Sequence, residues 1–129
     1  MSGKISRPKS WLLTRAIGLS RSASPAHVAF TEQLLLDCPN SVKAALGPMF
    51  TSLDLAHTAA LLTVPSLVIV GSQDRLTPIR AARRLADALP HGQLVELPGV
   101  GHMAPLEAHE AVTAHLLLFA REAFAGLSA

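Results

Sequence analysis

The chain has a single cysteine, Cys38, in 129 residues, and no tyrosine at all. One thiol cannot close an intramolecular disulfide, so a disulfide-stapled secreted scaffold is excluded, and a reducing, cytoplasmic compartment is expected. Acidic residues are missing from the whole N-terminal quarter. None occurs before Glu32, while Lys4, Arg7, Lys9, Arg15 and Arg21 fall in the first 21 positions. These basic residues are scattered, the net charge is only +2, and Trp11 is the one aromatic among them. A nucleic-acid partner would want basic residues clustered and interleaved with aromatics, so none is expected. No apolar run approaches the roughly 20 residues that span a bilayer. Nor does the N-terminus carry an apolar stretch ending in a small-residue cleavage site, so no secretory signal is expected and the Arg- and Ser-rich start reads as an ordinary solvated segment.

Half the residues are apolar and 16% are charged, a globular composition. The pattern changes near Leu62, which suggests two segments, 1–62 and 63–129. The first reads as helices and loops. Apolar Val28, Phe30, Leu34 and Leu35 predict a helix over His27 to Leu36, with Ser24-Pro25 as cap and first-turn proline. Val42 to Leu46 is a short helix that Gly47-Pro48 should end. Leu53 to Leu62 should be another.

The second segment is sharper. Ser66 to Gly71 is an unbroken apolar and β-branched run behind Pro65, the pattern of a parallel strand buried on both faces. Thr77-Pro78 offers an N-cap and an N1 proline. Ile79, Ala82, Leu85, Ala86 and Leu89 then follow at helical spacing, with Arg80, Arg83, Arg84 and Asp87 off that stripe. Gln93 to Leu97 is a second strand, closed by Pro98-Gly99. Glu107 to Phe124 reads as a final helix, with Val112, Leu116 and Phe119 on one face. Strand, helix, strand is a βαβ unit, whose crossover should be right-handed.

Two loops carry the candidate chemistry. Gly71-Ser72-Gln73-Asp74-Arg75-Leu76-Thr77-Pro78 follows the first strand, and Pro98-Gly99-Val100-Gly101-His102-Met103 follows the second. Open α/β sheets place their sites at the carboxyl ends of parallel strands. Asp74 and His102 should therefore meet on one sheet edge. A carboxylate beside an imidazole fixes its tautomer and stabilises its protonated form, which equips the ring for general acid–base work.

The stretch from Val64 to Pro78 resembles the segment that carries the triad acid in α/β-hydrolase-fold enzymes. Leu97-Pro98-Gly99-Val100-Gly101-His102-Met103 resembles the segment that carries the triad histidine. Asp before His is the family's chain order. Leu106-Glu107 and the amphipathic run after it are similar to its terminal helix. The resemblance is strong over 63–120 and weaker over 27–62, which is similar to the last cap helices and an Asp54-Leu55 lead-in. Residues 1–26 show none. It implies an α/β fold, cap-like helices followed by the last two parallel strands of the sheet. It also implies hydrolysis of an ester or related carboxylic derivative, with Asp74 orienting and His102 as acid and base. The substrate would be a small molecule, with no cofactor.

The family's nucleophile sits in G-x-S-x-G, on a sharp strand-to-helix turn. That motif is absent. The nearest approach, Gly18-Leu19-Ser20-Arg21-Ser22, has Ser22 in place of the last glycine, and what precedes it is no buried strand. The oxyanion-hole loop is missing too. Cys38 lacks an elbow and a nearby base and reads as a small buried hydrophobe. His102, His109 and His115 do not form H-E-x-x-H, so no metal site is expected, and His57, like His109 and His115, reads as an ordinary helix residue. Three readings follow. The chain is a truncated hydrolase whose serine lies upstream, a non-catalytic remnant or interaction module, or an atypical enzyme using Ser20. Two strands leave open edges, so self-association or a companion chain is expected.

Overall fold

A computed structural model describes residues 7–52 and 56–125. Three helices come first: α1 (Arg7–Gly18), α2 (Pro25–Asp37) and α3 (Asn40–Ser52). A short α4 (Ala56–Ala59) leads to β1 (Ser66–Gly71), α5 (Ile79–Ala88), β2 (Gly92–Leu97), a one-turn α6 (Ala104–Glu107) and α7 (His109–Phe124). β1 and β2 pair in parallel, from Ser66 opposite Gly92 to Gly71 opposite Leu97. The order of elements is thus the expected α/β one, helices first and a two-stranded parallel sheet after them. The Asp54-Leu55 lead-in, and part of the helix expected over Leu53 to Leu62, lie outside the described residues.

α1 lies in the segment expected to be helices and loops, but the sequence pattern placed no particular helix there. Its inner side is Trp11, Thr14 and Gly18, at helical spacing, while Leu12, Leu13 and Ile17 face outward. The fully buried positions, Thr14 and Gly18, are small or polar and Trp11 is only partly buried, so apolar periodicity does not reveal the stripe. Small residues let it lie close on α2. A Cβ on Gly18 would stand 4.0 Å from the Thr31 methyl, and the Ser10 hydroxyl donates to the Glu32 carboxylate. α2 has the expected cap, with Ser24 Oγ accepting from the His27 amide at 3.1 Å. Its packed face differs from the expected one: Val28 and Thr31 are buried, whereas Phe30, Leu34 and Leu35 are about half exposed. Cys38 is not a buried hydrophobe. It is half-buried, and its backbone caps α2 by donating to the Leu34 carbonyl.

Gly47-Pro48 does not end the third helix, which runs on to Ser52. The last helix, α7, begins two residues later than expected, because Ala108, at φ −142° and ψ 47°, separates it from the single turn α6 that ends at Glu107. Two small cores result. Leu97, Ala104 and Val112 pack with Ile69 and Val95 around the sheet. Leu19, Ala23 and Val28 pack with Trp11 and Met103 above its carboxyl end. The expected face of α7 is buried only at Val112, because Leu116 is half exposed and Phe119 half-buried. Among the described residues no third strand extends the sheet to cover them. No helix of the described residues is long and apolar enough to cross a membrane.

Candidate active site

The loop after β1 and the loop after β2 are laced together by their backbones. The Ser72 amide donates to the Leu97 carbonyl at 2.9 Å and the Gln73 amide to the Val100 carbonyl at 2.8 Å. In return the Gly99 amide donates to Ser72 Oγ at 2.8 Å. Gly71 is required for this closeness. A Cβ there would meet the Val100 and Gly101 carbonyl oxygens at 2.2 and 2.5 Å. Gly99 turns the second loop with φ +75°, a conformation that favours glycine.

This lacing brings Asp74 and His102 together. His102 Nδ1 lies 2.9 Å from Asp74 Oδ2. The Asp74 side chain is 5% exposed and that of His102 36%, so the carboxylate is enclosed and the ring has one side open. Asp74 Oδ1 accepts from the Leu76 and Thr77 amides at 2.9 and 2.8 Å. Oδ2 accepts from the Thr77 hydroxyl at 2.7 Å as well as from the imidazole. Burial alone would push this carboxyl up. The Thr77 hydroxyl and amide, with His102, outweigh that and hold it below the usual aspartate value. Asp74 is therefore an anion at neutral pH, and His102 presents Nδ1–H to it. Among the described residues no hydrogen bond is made to Nε2.

Thr77 was expected to cap α5. Pro78 occupies the cap position without a side-chain bond, because the Thr77 hydroxyl is committed to Asp74 and stands 3.3 Å from His102 Nδ1. The Asx-like turn of Asp74 over Leu76 and Thr77 explains the change. A side chain that accepts from amides two and three residues ahead organises the loop in place of the helix start.

The end of α1 and its connection to α2 rest on the first loop through two hydrogen bonds and on the second through Gly101 and Met103. Arg75 donates to the Ala16 carbonyl at 2.6 Å, and the Arg21 amide donates to Gln73 Oε1 at 2.9 Å. Ser20 lies in this connection. It is 3% exposed, its amide donates to Glu107 Oε2, and its hydroxyl sits 3.1 Å from that of Ser22. It follows a helix, not a strand, so it stands on no nucleophile elbow. Glu107 went unrecognised as a site residue. Its partners are 87 and 6 positions away, and no local signal marks such a contact. Cys38, His57 and His109 lie on the helices and their ends, and none bonds Asp74 or His102 among the described residues. His115, on α7, is likewise apart from the pair. No group of three metal-ligating side chains occurs among the described residues.

Comparison with known proteins agrees with this architecture. An esterase from Thermogutta terrifontis superimposes with a TM-score of 0.78 at 26% identity, over 88% of this chain and 43% of its own. L-allo-isoleucyltransferase of Pseudomonas savastanoi pv. glycinea is 42% identical over 59 residues, 46% of this chain and 21% of that protein. Pimeloyl-[acyl-carrier protein] methyl ester esterase of Chromobacterium violaceum is 36% identical over 72 residues, 56% of this chain and 28% of that protein. The chain thus matches less than a third of either curated relative's length and under half of the solved esterase. The profile of the alpha/beta hydrolase family matches residues 3–115, well beyond the 63–120 where the sequence resemblance was strong and into the first 26 residues, where none was found. Because that match takes in the N-terminal helices as well as both strands, this chain belongs to the alpha/beta hydrolase family.

Proposed function

We propose that Asp74 and His102 are the acid and the general acid–base of a serine hydrolase acting on a carboxylic ester, and that the serine lies outside these 129 residues. The observation that carries this reading is the Nδ1–Oδ2 contact of 2.9 Å on an enclosed carboxylate. With Nδ1–H held by Asp74, Nε2 removes the proton from a serine hydroxyl as its oxygen attacks the ester carbonyl. The same nitrogen then returns that proton to the departing alkoxide. Water repeats the cycle on the acyl-enzyme and releases the acid. Neither G-x-S-x-G nor an oxyanion loop occurs in the chain, and Ser20 lacks the elbow, so the 129 residues alone are inactive in this reading. Hydrolysis by the esterase relatives supports the ester class, and the lone Cys38 supports a cytoplasmic setting.

The test is turnover of p-nitrophenyl acyl esters. The purified chain should give background rates. A fusion to the N-terminal half of the Thermogutta terrifontis esterase should hydrolyse the ester, and lose that turnover about a thousandfold or more in His102→Ala, the scale typical of losing a triad member. Turnover by the unfused chain that disappears in both Ser20→Ala and His102→Ala would assign the nucleophile to Ser20 instead. Fusion activity indifferent to His102 would end the triad reading.

A second reading concerns association. α7 carries exposed Leu116, Leu117 and Phe124 beside exposed Val64, two residues before β1. A band of this kind next to a strand edge suits a companion chain or a second copy.

A further inference from the structure

Two features near the acid–histidine pair are not accounted for by the triad chemistry. One is the turn from Gly101 to Glu107. The other is the carboxylate that closes it. Glu107 stands at the end of the single turn α6, with its amide bonded to the Met103 carbonyl at 2.9 Å. Its side chain folds back across the turn. Oε1 accepts from the Gly101 amide at 3.2 Å, the residue immediately before His102. Oε2 accepts from the Ser20 amide at 2.9 Å, on the α1–α2 connection. One carboxylate therefore bonds the backbone beside the histidine to a segment more than 80 residues away in sequence.

The packing leaves no slack in this arrangement. A Cβ on Gly101 would meet the Ser20 nitrogen at 2.4 Å, the Leu19 carbonyl carbon at 2.5 Å and Glu107 Oε1 at 2.7 Å. Leu19 is 2% exposed and Ser20 3%. An amide buried there needs an acceptor, and an ionised carboxylate gives a stronger hydrogen bond than a neutral one does. On the other side of His102, Met103 packs into the cluster of Leu19, Ala23 and Val28. His102 is thus flanked by one residue tied through Glu107 and another tied through apolar contact, both to the same segment. That segment also holds the acid loop through Arg21, and α1 holds it through Ala16.

We infer that Glu107 is a positioning residue for His102: its carboxylate seats the histidine loop on residues 19–20 and so sets the ring's alignment with Asp74. The inference rests on the reading of Asp74 and His102 as a working pair. It goes beyond that reading because the position of the ring is assigned to a third carboxylate that touches neither member.

The test is NMR on the isotope-labelled chain, with Glu107→Gln, Glu107→Ala and Asp74→Asn beside it. In Glu107→Ala the Gly101 and Ser20 amides should exchange at least about tenfold faster, while those of the β1–β2 ladder stay protected. The His102 ring nitrogens should move away from the Nδ1–H tautomer, by about threefold or more in tautomer ratio. Glu107→Gln retains one acceptor oxygen and should free one amide while shifting the ring less. Faster amide exchange with an unchanged His102 tautomer would overturn the inference, since Glu107 would then only close a turn. Unchanged exchange would overturn it as well. So would loss of the ladder in both variants, which would make Glu107 a fold residue. Asp74→Asn separates this from failure of the pair itself. If that variant leaves the His102 tautomer as in the wild type, the pair reading falls, whatever the Glu107 variants do.

Discussion

Asp74 accepts from two amides, a hydroxyl and an imidazole, and it is nearly enclosed. Its carboxyl is held below the ordinary aspartate value. The sign of the consequence is fixed by linkage. A depressed folded-state value means stability that is present above the unfolded carboxyl's range and lost as pH falls through the folded one. Asp74→Asn should therefore cost about 1–3 kcal/mol at neutral pH, the scale of leaving polar partners unmatched. The difference from wild type should shrink as the pH drops below the usual aspartate range. Urea melts of both proteins at neutral and acidic pH measure this directly, and a difference independent of pH would show that the ionised carboxylate is not its source. Asp74 and His102 were legible because each sits in a short loop right after a strand. Thr77 was legible as a polar residue before a proline, but its partner was not. The choice between capping α5 and bonding Asp74 depends on where the carboxylate lies, which neighbouring residue types do not specify.

Among the elements, α2 and α3 differ in how far local rules hold. Ser24 caps α2 as its type and position predict. Ser24→Ala should lower stability by about 1 kcal/mol, since the His27 amide loses its acceptor. Gly47 sits inside α3, and nothing lies within 4 Å of the Cβ it lacks. Gly47→Ala should therefore raise stability by about 0.5–1 kcal/mol through helix propensity alone. Thermal melts of both variants check the pair, and a destabilised Gly47→Ala would mean that α3 is packed more tightly than the structure has it. The strands were legible because β-branched runs bounded by proline and glycine leave few options. α1 was not, because a helix that buries Thr14 and Gly18, half-buries Trp11 and exposes its leucines inverts the usual pattern. The Arg83–Glu96 pair joins α5 to β2 at 2.5 Å but is solvent-exposed, so it contributes little.

On the scale of the whole molecule, the two-stranded sheet of the described residues has an open edge on each side. Leu61 is 75% exposed and Val64 60%, at the approach to β1, and Leu117 is 56% exposed on α7. Small two-stranded sheets are marginal in water unless something covers them. The chain should associate in a concentration-dependent way, and Leu117→Glu should shift it toward monomer about tenfold or more in dissociation constant, because a charge would have to be desolvated in the contact. Sedimentation velocity over a range of concentrations reads both. A monomer at every concentration with a cooperative melt would remove the association reading.

Residue types and their spacing were enough to place a βαβ unit, to put an acid after its first strand and a histidine after its second, and to show that G-x-S-x-G is absent. Those are local properties, carried by period, turn chemistry and chain order. Tertiary structure decided the rest. It determined that Thr77 serves Asp74 and not the helix, that α1 turns its leucines outward, that Ala108 sets the last helix apart from the turn before it, and that Glu107 reaches Ser20 across 87 positions. Each of these depends on which faces and polar groups meet once the chain has packed. That is a property of the assembled fold, and the types of neighbouring residues do not specify it.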